Sequence, residues 1–328
     1  MGQFNHQGVS EGRLIPSVLT GNPVAKGVQG WVSGSKASSG VAPNHTAGEV
    51  YRRKPQFVMC SPKFLDNKIK NNVFMDSGKK IDRERAMIQY ARIKRLLTAF
   101  DVQVLEVPPI KGCQDQAYTA NLFIAINPFI VLAKMSAPGR ACEEAPGRRF
   151  FEGRGYTVIQ PPYAFEGEAD MKKWKDGVYF GGYGKFSDIK AFDWISKKTG
   201  CEVIPLEEVS DKSFHLDCSL FVIDEENFLV NREGISPKSF KELEKRANII
   251  VTPPDHLGTG GTNLIRIPGN KKILISGMLF PEDPKYQKSI EWMHEFADKF
   301  GFSMVFVDID TYDLSGADVS CCVGHLDF

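Results

Sequence analysis

Three stretches of the chain carry side chains able to act on a cation. FEGEAD, residues 165–170, places Glu166, Glu168 and Asp170 at alternate positions. In an extended segment all three would share one face and repel unless solvated or facing a positive charge. A solvated acidic rim satisfies that pattern. So does a site for a planar cation, because a guanidinium presents several N–H donors that carboxylates take in bidentate pairs. SFHLDCSL, residues 213–220, read as a strand, puts His215, Asp217 and Ser219 on one face and Phe214, Leu216 and Cys218 on the other. A satisfied structural histidine beside a surface aspartate and a functional His/Asp pair both fit it. The third stretch, LSGADVSCCVGHLDF, brings adjacent Cys321 and Cys322 to the end of the chain. Spacing alone promotes neither thiol. Together, a cysteine, a histidine and carboxylates are what substitution at a guanidinium carbon requires: a thiolate to attack, an acid to protonate the departing amine, and anions to hold the cation.

Other chemistries find less support. YFGGYGKFSD resembles part of a phosphate loop, but Tyr179 and Phe186 break the pattern. Ser187 is a plausible cap for a helix starting there, and Lys185 with that helix N-terminus could bind a substrate carboxylate. LGTGGTN, residues 257–263, precedes a strand and reads as a turn. Of six histidines, His6 and His45 fall in the N-terminal segment and His294 on a polar helix face, leaving His215, His256 and His325.

The elements that must position these residues repeat. Helical periodicity predicts helices over 81–97, 141–153, 187–198, 236–246 and 284–299, each followed by a strand-like run such as VQVLEVP or SMVFVDI. Two further β-like stretches precede the next helix, giving a β-β-α-β unit with a period of about 50 residues. Five such units suggest a closed radial array in which residues distant in sequence converge on an axis; an ordinary two-halved α/β sheet is the alternative. Residues 1–54, rich in Gly, Ser and Asn, read as a flexible segment outside the fold, and residues 55–328 as one domain.

Composition narrows the class. Among 328 residues, 41 basic side chains face 40 acidic ones, a formal charge of +1, so no global field draws the chain to nucleic acid or an anionic membrane. No run approaches the ~18 to 20 apolar residues of a membrane span, and the start lacks a signal-peptide core, so a cytoplasmic protein is expected. Seven cysteines without CxxC pairs fit neither a disulfide framework nor a zinc site, so reduced thiols are expected.

FVMCSP, IKNNVFM, YTANLFIAI, FEGEAD, GGYGKFSD, FHLDCSL and the C-terminal cysteine resemble the guanidino-group-modifying superfamily of arginine deiminases, arginine dihydrolases, dimethylarginine dimethylaminohydrolases and amidinotransferases. The similarity runs over about 270 residues and is nearest to the arginine dihydrolase-like branch; SCCV and the segment from Val251 through PEDP are also similar to the dimethylarginine hydrolases. It implies an α/β fold, a five-bladed α/β-propeller (pentein) of ββαβ modules. It also implies hydrolysis of a small guanidino compound through a covalent thiouronium, with no metal or other cofactor. Position by position, the resemblance makes Cys321 the nucleophile and His215 the general acid/base. Asp170 and Asp217 match carboxylates that grip the guanidinium, Glu166 the acid opening an EGxGD-like stretch, Asn121 a dihydrolase asparagine, and Asn72 an asparagine of the N-terminal substrate loop. Two departures stand out: Gly316-Ala317-Asp318 replaces a glycine run, and Lys185-Phe186 stands where an arginine usually follows. An amidinotransferase and a non-catalytic propeller that binds another macromolecule are the rival readings, and homo-oligomerisation is left open.

Overall fold

A computed structural model describes residues 54–75, 78–253, 261–269, 271–278 and 284–326. The N-terminal segment, His6, His45, His256, Asp327 and most of LGTGGTN and PEDP lie outside the described residues.

The five expected helices form at Arg83–Ala99, Glu144–Glu152, Ile189–Thr199, Pro237–Glu244 and Pro284–Lys299. Their starts follow local chemistry. Asp82 accepts the Arg85 N–H at 3.0 Å, and Ser236 accepts the Ser239 N–H at 3.2 Å with Pro237 in the first turn. The third helix is capped by Asp188, which accepts the Lys190 N–H at 2.9 Å, rather than by Ser187. Ser187 is drawn inward instead.

Among the described residues, fifteen strands make five three-stranded sheets. In four of them an antiparallel pair is joined through a helix to a third, parallel strand: Phe123–Ile126, Phe129–Leu132 and Thr157–Ile159; Met171–Lys175, Val178–Tyr183 and Glu202–Glu207; Leu220–Val222, Asn227–Val230 and Asn248–Val251; Leu264–Arg266, Ile273–Met278 and Ser303–Asp308. The remaining sheet is assembled from both ends of the described chain. Gln56–Cys60 pairs in parallel with Gln103–Val107 and antiparallel with Gly324–His325, Phe57 facing His325 and Val58 facing Gly324.

The central strands are buried on both faces, which is why they are continuous apolar runs with little alternation. Phe57 and Met59 enter one apolar cluster with Ile265, Ile275 and Ile93, whereas Val58 and Cys60 enter another with Phe123, Leu132 and Phe151. A third cluster joins Ile124 and Val131 to Tyr179 and Phe192, a fourth joins Phe180 and Leu206 to Phe228 and Phe240, and a fifth joins Phe221 and Leu229 to Leu274 and Met293. Each cluster thus fills the space between two sheets and a helix. Among the described residues no helix is long and apolar enough to cross a membrane.

The reduced-thiol expectation is corrected at one pair: Cys113 and Cys142 form a disulfide, with Cα atoms 5.9 Å apart, leaving Cys60, Cys201, Cys218, Cys321 and Cys322 free. Their 29-residue separation has no motif spacing. Packing alone brings them together.

Candidate active site

FEGEAD and SFHLDCSL are not strands at their acidic and histidine positions. Gly167–Ala169 and Leu216–Cys218 are single 3₁₀ turns, so neighbouring side chains fan outward instead of alternating. Gly167 makes the first turn feasible. Its φ is +58°, and a Cβ there would lie 2.6 Å from the Ala120 carbonyl oxygen. As a result Glu166 and Asp170 point toward the His215 and Asp217 turn, while Glu168 leaves them. Its carboxylate accepts the His325 backbone N–H at 2.9 Å and pairs with His325 Nδ1 at 2.6 Å, tying this loop to the C-terminal strand.

Cys321 lies in a third short turn, Ser320–Cys322. Both cysteines belong to one apolar cluster, but of the two it is Cys321 that also lines a cavity, with His215, Glu166, Asn121 and Asn72. The Asp217 carboxylate Oδ2 accepts from Ser320 Oγ at 3.0 Å and stands 3.7 Å from the Cys321 sulfur, to which Asn263 Nδ2 donates at 3.4 Å. Burial, then the Asp217 charge, pushes the Cys321 thiol well above its ordinary value.

His215 is wholly buried. Burial opposes its charge, but Asp170, Glu166 and Asp217 more than offset that, and its pKa is raised. Its Nε2 lies 2.9 Å from Glu166 Oε2 and 3.2 Å from Asn121 Nδ2, and its ring stacks on Phe186 with centroids 4.9 Å apart. Although burial disfavours its charge, Glu166 is held at about 2 by the His215 hydrogen bond and charge and by Arg140. Asp170 differs: burial pushes its carboxyl up to about 7 against the opposing effect of His215 and of Ser187, whose hydroxyl donates to it at 2.6 Å. The Leu216 N–H also donates to Asp170, at 3.3 Å.

Two of the expected residues have other engagements. Asn72 lines the cavity, but its Nδ2 donates to the Ser315 carbonyl at 2.9 Å and its Oδ1 accepts the Phe74 and Met75 N–H groups, pinning the loop that carries it. Lys185 does not line the cavity. Its Nζ pairs with Asp211 at 2.7 Å in a separate surface groove, and Phe186 takes the wall instead.

Several participants carried no sequence signal. Arg140 lines the cavity and is gripped by Glu143 through Nε at 2.9 Å and Nη2 at 3.0 Å. Asn263, at the end of a stretch read as a turn, positions both Cys321 and the Ser320 N–H, which it accepts at 2.8 Å. Glu208 is buried with neither oxygen hydrogen-bonded among the described residues, and its pKa is raised by that burial and by Asp170.

No protein-family model matches the chain. Among curated proteins, it is 25% identical over 279 residues to the N(G),N(G)-dimethylarginine dimethylaminohydrolase of Mycobacterium tuberculosis, covering 84% of this chain and 88% of that one. It is 31% identical over 166 residues to the bifunctional arginine dihydrolase/ornithine cyclodeaminase AgrE of Nostoc, covering 49% of this chain and 24% of that protein. Among solved structures, the N-terminal domain of ArgZ covalently bound to a reaction intermediate superimposes with a TM-score of 0.75 at 21% identity, covering 83% of this chain and 98% of that one. At that identity the superposition shows a shared mixed α/β fold of small sheets. The homologues place the chain among C–N hydrolases. Its curated relatives include guanidino-group-modifying enzymes, and it shares their fold.

Proposed function

We propose that the protein hydrolyses the guanidino group of arginine or a related small guanidino compound through a covalent intermediate on Cys321. The observation that carries this reading is the Asp217 carboxylate 3.7 Å from the Cys321 sulfur. An anion beside a buried thiol opposes its ionisation, which is a poor arrangement for a nucleophile unless a cation comes between them. A unit positive charge about 4 Å away, at an effective dielectric near 20, is worth about 4 kcal/mol, roughly a thousandfold in thiol acidity. A guanidinium held by Asp170 and Asp217 would supply that charge and the electrophilic carbon together.

In this mechanism the Cys321 thiolate bonds to the guanidinium carbon. His215, kept protonated by Glu166, gives its proton to one nitrogen as the C–N bond breaks and an amine or ammonia leaves. The resulting S-alkylthiouronium is attacked by water, which gives one proton to His215; the C–S bond then breaks to release the thiolate and a ureido product, the remaining hydroxyl proton passing to solvent, where the released ammonia or amine takes it up. Asn121, within reach of both His215 and Glu166, holds the pair in place. The same reading takes residues 55–328 as one domain and the five sheets as blades of a closed α/β-propeller. In support, the apolar clusters join successive sheets in order, and one joins the fifth sheet to the first.

Arginine, methylated arginines, agmatine and guanidino acids, supplied without an amine acceptor, test the proposal. Ammonia or an alkylamine together with a ureido product is expected from at least one of them, and no turnover from a folded Cys321→Ser variant. Product formed only when an amine acceptor is added would make the protein an amidinotransferase. Equal turnover by Cys321→Ser would remove the mechanism.

A further inference from the structure

Glu168 and His325 do not line the cavity and take no step in the proposed chemistry, yet they join two turns that do. Glu168 lies in the turn between Glu166 and Asp170, and His325 in the short strand that leaves the Cys321 turn. The left-handed Gly167 aims the Glu168 carboxylate at that strand, where Oε2 accepts the His325 backbone N–H at 2.9 Å and Oε1 stands 2.6 Å from the ring Nδ1. Burial opposes the Glu168 charge, but His325 and Lys172 outweigh it and hold the carboxyl below its ordinary value. Both ends of this contact are braced. On the cysteine side, Gly324 pairs with Val58 and lies so near Phe123 that a Cβ would be 2.5 Å from its ring, and Phe57 meets the His325 ring edge-on at 4.3 Å. Thr119 Oγ1 donates there to the Val58 and Cys322 carbonyls, at 2.8 and 3.0 Å. On the carboxylate side, Ser187 Oγ accepts the Glu166 N–H at 3.0 Å and donates to Asp170 at 2.6 Å.

Attack at a guanidinium carbon needs the sulfur and the carboxylates in register, and a misplacement of about 1 Å can cost a hundredfold in rate. The two carboxylates reach the Cys321 turn by different routes. Asp217 is tied to it directly, through the Ser320 hydroxyl at 3.0 Å. Asp170 belongs to another turn, and Glu168, two residues before it, makes the contact with the strand beyond Cys321. A side chain that fixes this relation without touching substrate acts on the geometry of attack rather than on affinity. We infer that Glu168 and His325 are positioning residues that hold the Asp170 turn in register with Cys321, so that a guanidinium carbon gripped by the carboxylates lies in the path of the thiolate. This rests on the guanidino-hydrolase reading and extends the machinery of that site to a pair outside the cavity.

The test combines steady-state kinetics, single-turnover acid quench and thermal unfolding of the full chain, with arginine, methylated arginines and agmatine as substrates. Glu168→Ala removes both contacts. Glu168→Gln keeps an acceptor for the His325 N–H without the charge, and His325→Phe keeps a ring against Phe57 without its nitrogens. Glu168→Ala is expected to lower kcat, and the rate of thiouronium formation on Cys321, by about tenfold to a hundredfold, with KM changed by less than about threefold. Glu168→Gln and His325→Phe should each show a smaller loss, and their combination no more than either alone, because both break the same contact. A kcat within about twofold of wild type in Glu168→Ala and Glu168→Gln, whatever the fall in thermal midpoint, makes the pair a structural clamp and overturns the inference while the hydrolase reading stands. So does a raised KM at unchanged kcat, or additive losses in the double variant. Should Glu168→Ala fail to fold, Glu168→Gln and His325→Phe decide by the same criteria. No turnover of any of these substrates by the wild-type protein overturns the hydrolase reading and the inference together.

Discussion

His215 Nε2 and Glu166 Oε2 meet at 2.9 Å with both side chains buried, and each holds the other charged. Glu166 sits at about 2 and His215 is raised above 6.5. The sign of each shift fixes its pH window. The depressed Glu166 contributes stability above the ordinary carboxylate value of 4.5, and that contribution is lost as pH falls toward 2. The raised His215 contributes fully below 6.5, and its contribution is lost as pH rises through its folded value. Glu166→Gln should therefore flatten the pH dependence of the thermal midpoint on both sides. It should also move the alkaline limb of kcat to lower pH, because His215 loses the anion that keeps its proton. An alkaline limb unmoved in Glu166→Gln would remove His215 as the proton donor.

Asp170 has the opposite problem, a carboxyl raised to about 7 that, in the proposed mechanism, must be ionised to hold a guanidinium. For an acid raised on folding, ionisation costs stability as pH climbs from its ordinary value through 7. Substrate should restore the ionised form and expel a proton. KM is thus expected to fall as pH rises through about 7, with net proton release seen by calorimetry in buffers of different ionisation enthalpy. Asp170→Asn should raise KM about a hundredfold, on the order of 3 kcal/mol for truncating a buried charge pair. It should also lose the proton release. A KM independent of pH and of this substitution would place the guanidinium elsewhere.

The regular elements were legible in the sequence. The third helix shows Ala191, Phe192 and Ile195 on its buried face and a left-handed Gly200 at its end, so period and punctuation coincide. The turns that carry the candidate site residues were not. Alternation groups Glu168 with Glu166 and Asp170, but the left-handed Gly167 turns it away to His325, a contact between residues 157 apart. Ser187 looked like a helix cap and instead donates to Asp170, while Asp188 caps. Gly324–His325, only two residues long, has no pattern of its own yet completes the sheet next to the Cys321 turn. Arg140 and Asn263 reach the site through packing, which leaves no local motif.

Gly167→Ala tests that turn directly. A side chain at φ +58° costs about 1–2 kcal/mol, and its Cβ would press on the Ala120 carbonyl. A lower thermal midpoint is expected together with a large fall in kcat/KM, since Glu166 and Asp170 flank the displaced residue. Loss of stability with full activity would show that the turn does not position them.

The adjacent thiols Cys321 and Cys322 share one apolar cluster, and Cys321 is the one that also reaches the cavity wall. Rapid acid quench during turnover of a guanidino substrate, followed by peptide mass spectrometry, distinguishes the two. A thiouronium mass increment is expected on Cys321 that appears and decays within turnover, with Cys322 unmodified. An increment on Cys322, or steady turnover with no covalent species on either cysteine, would contradict it.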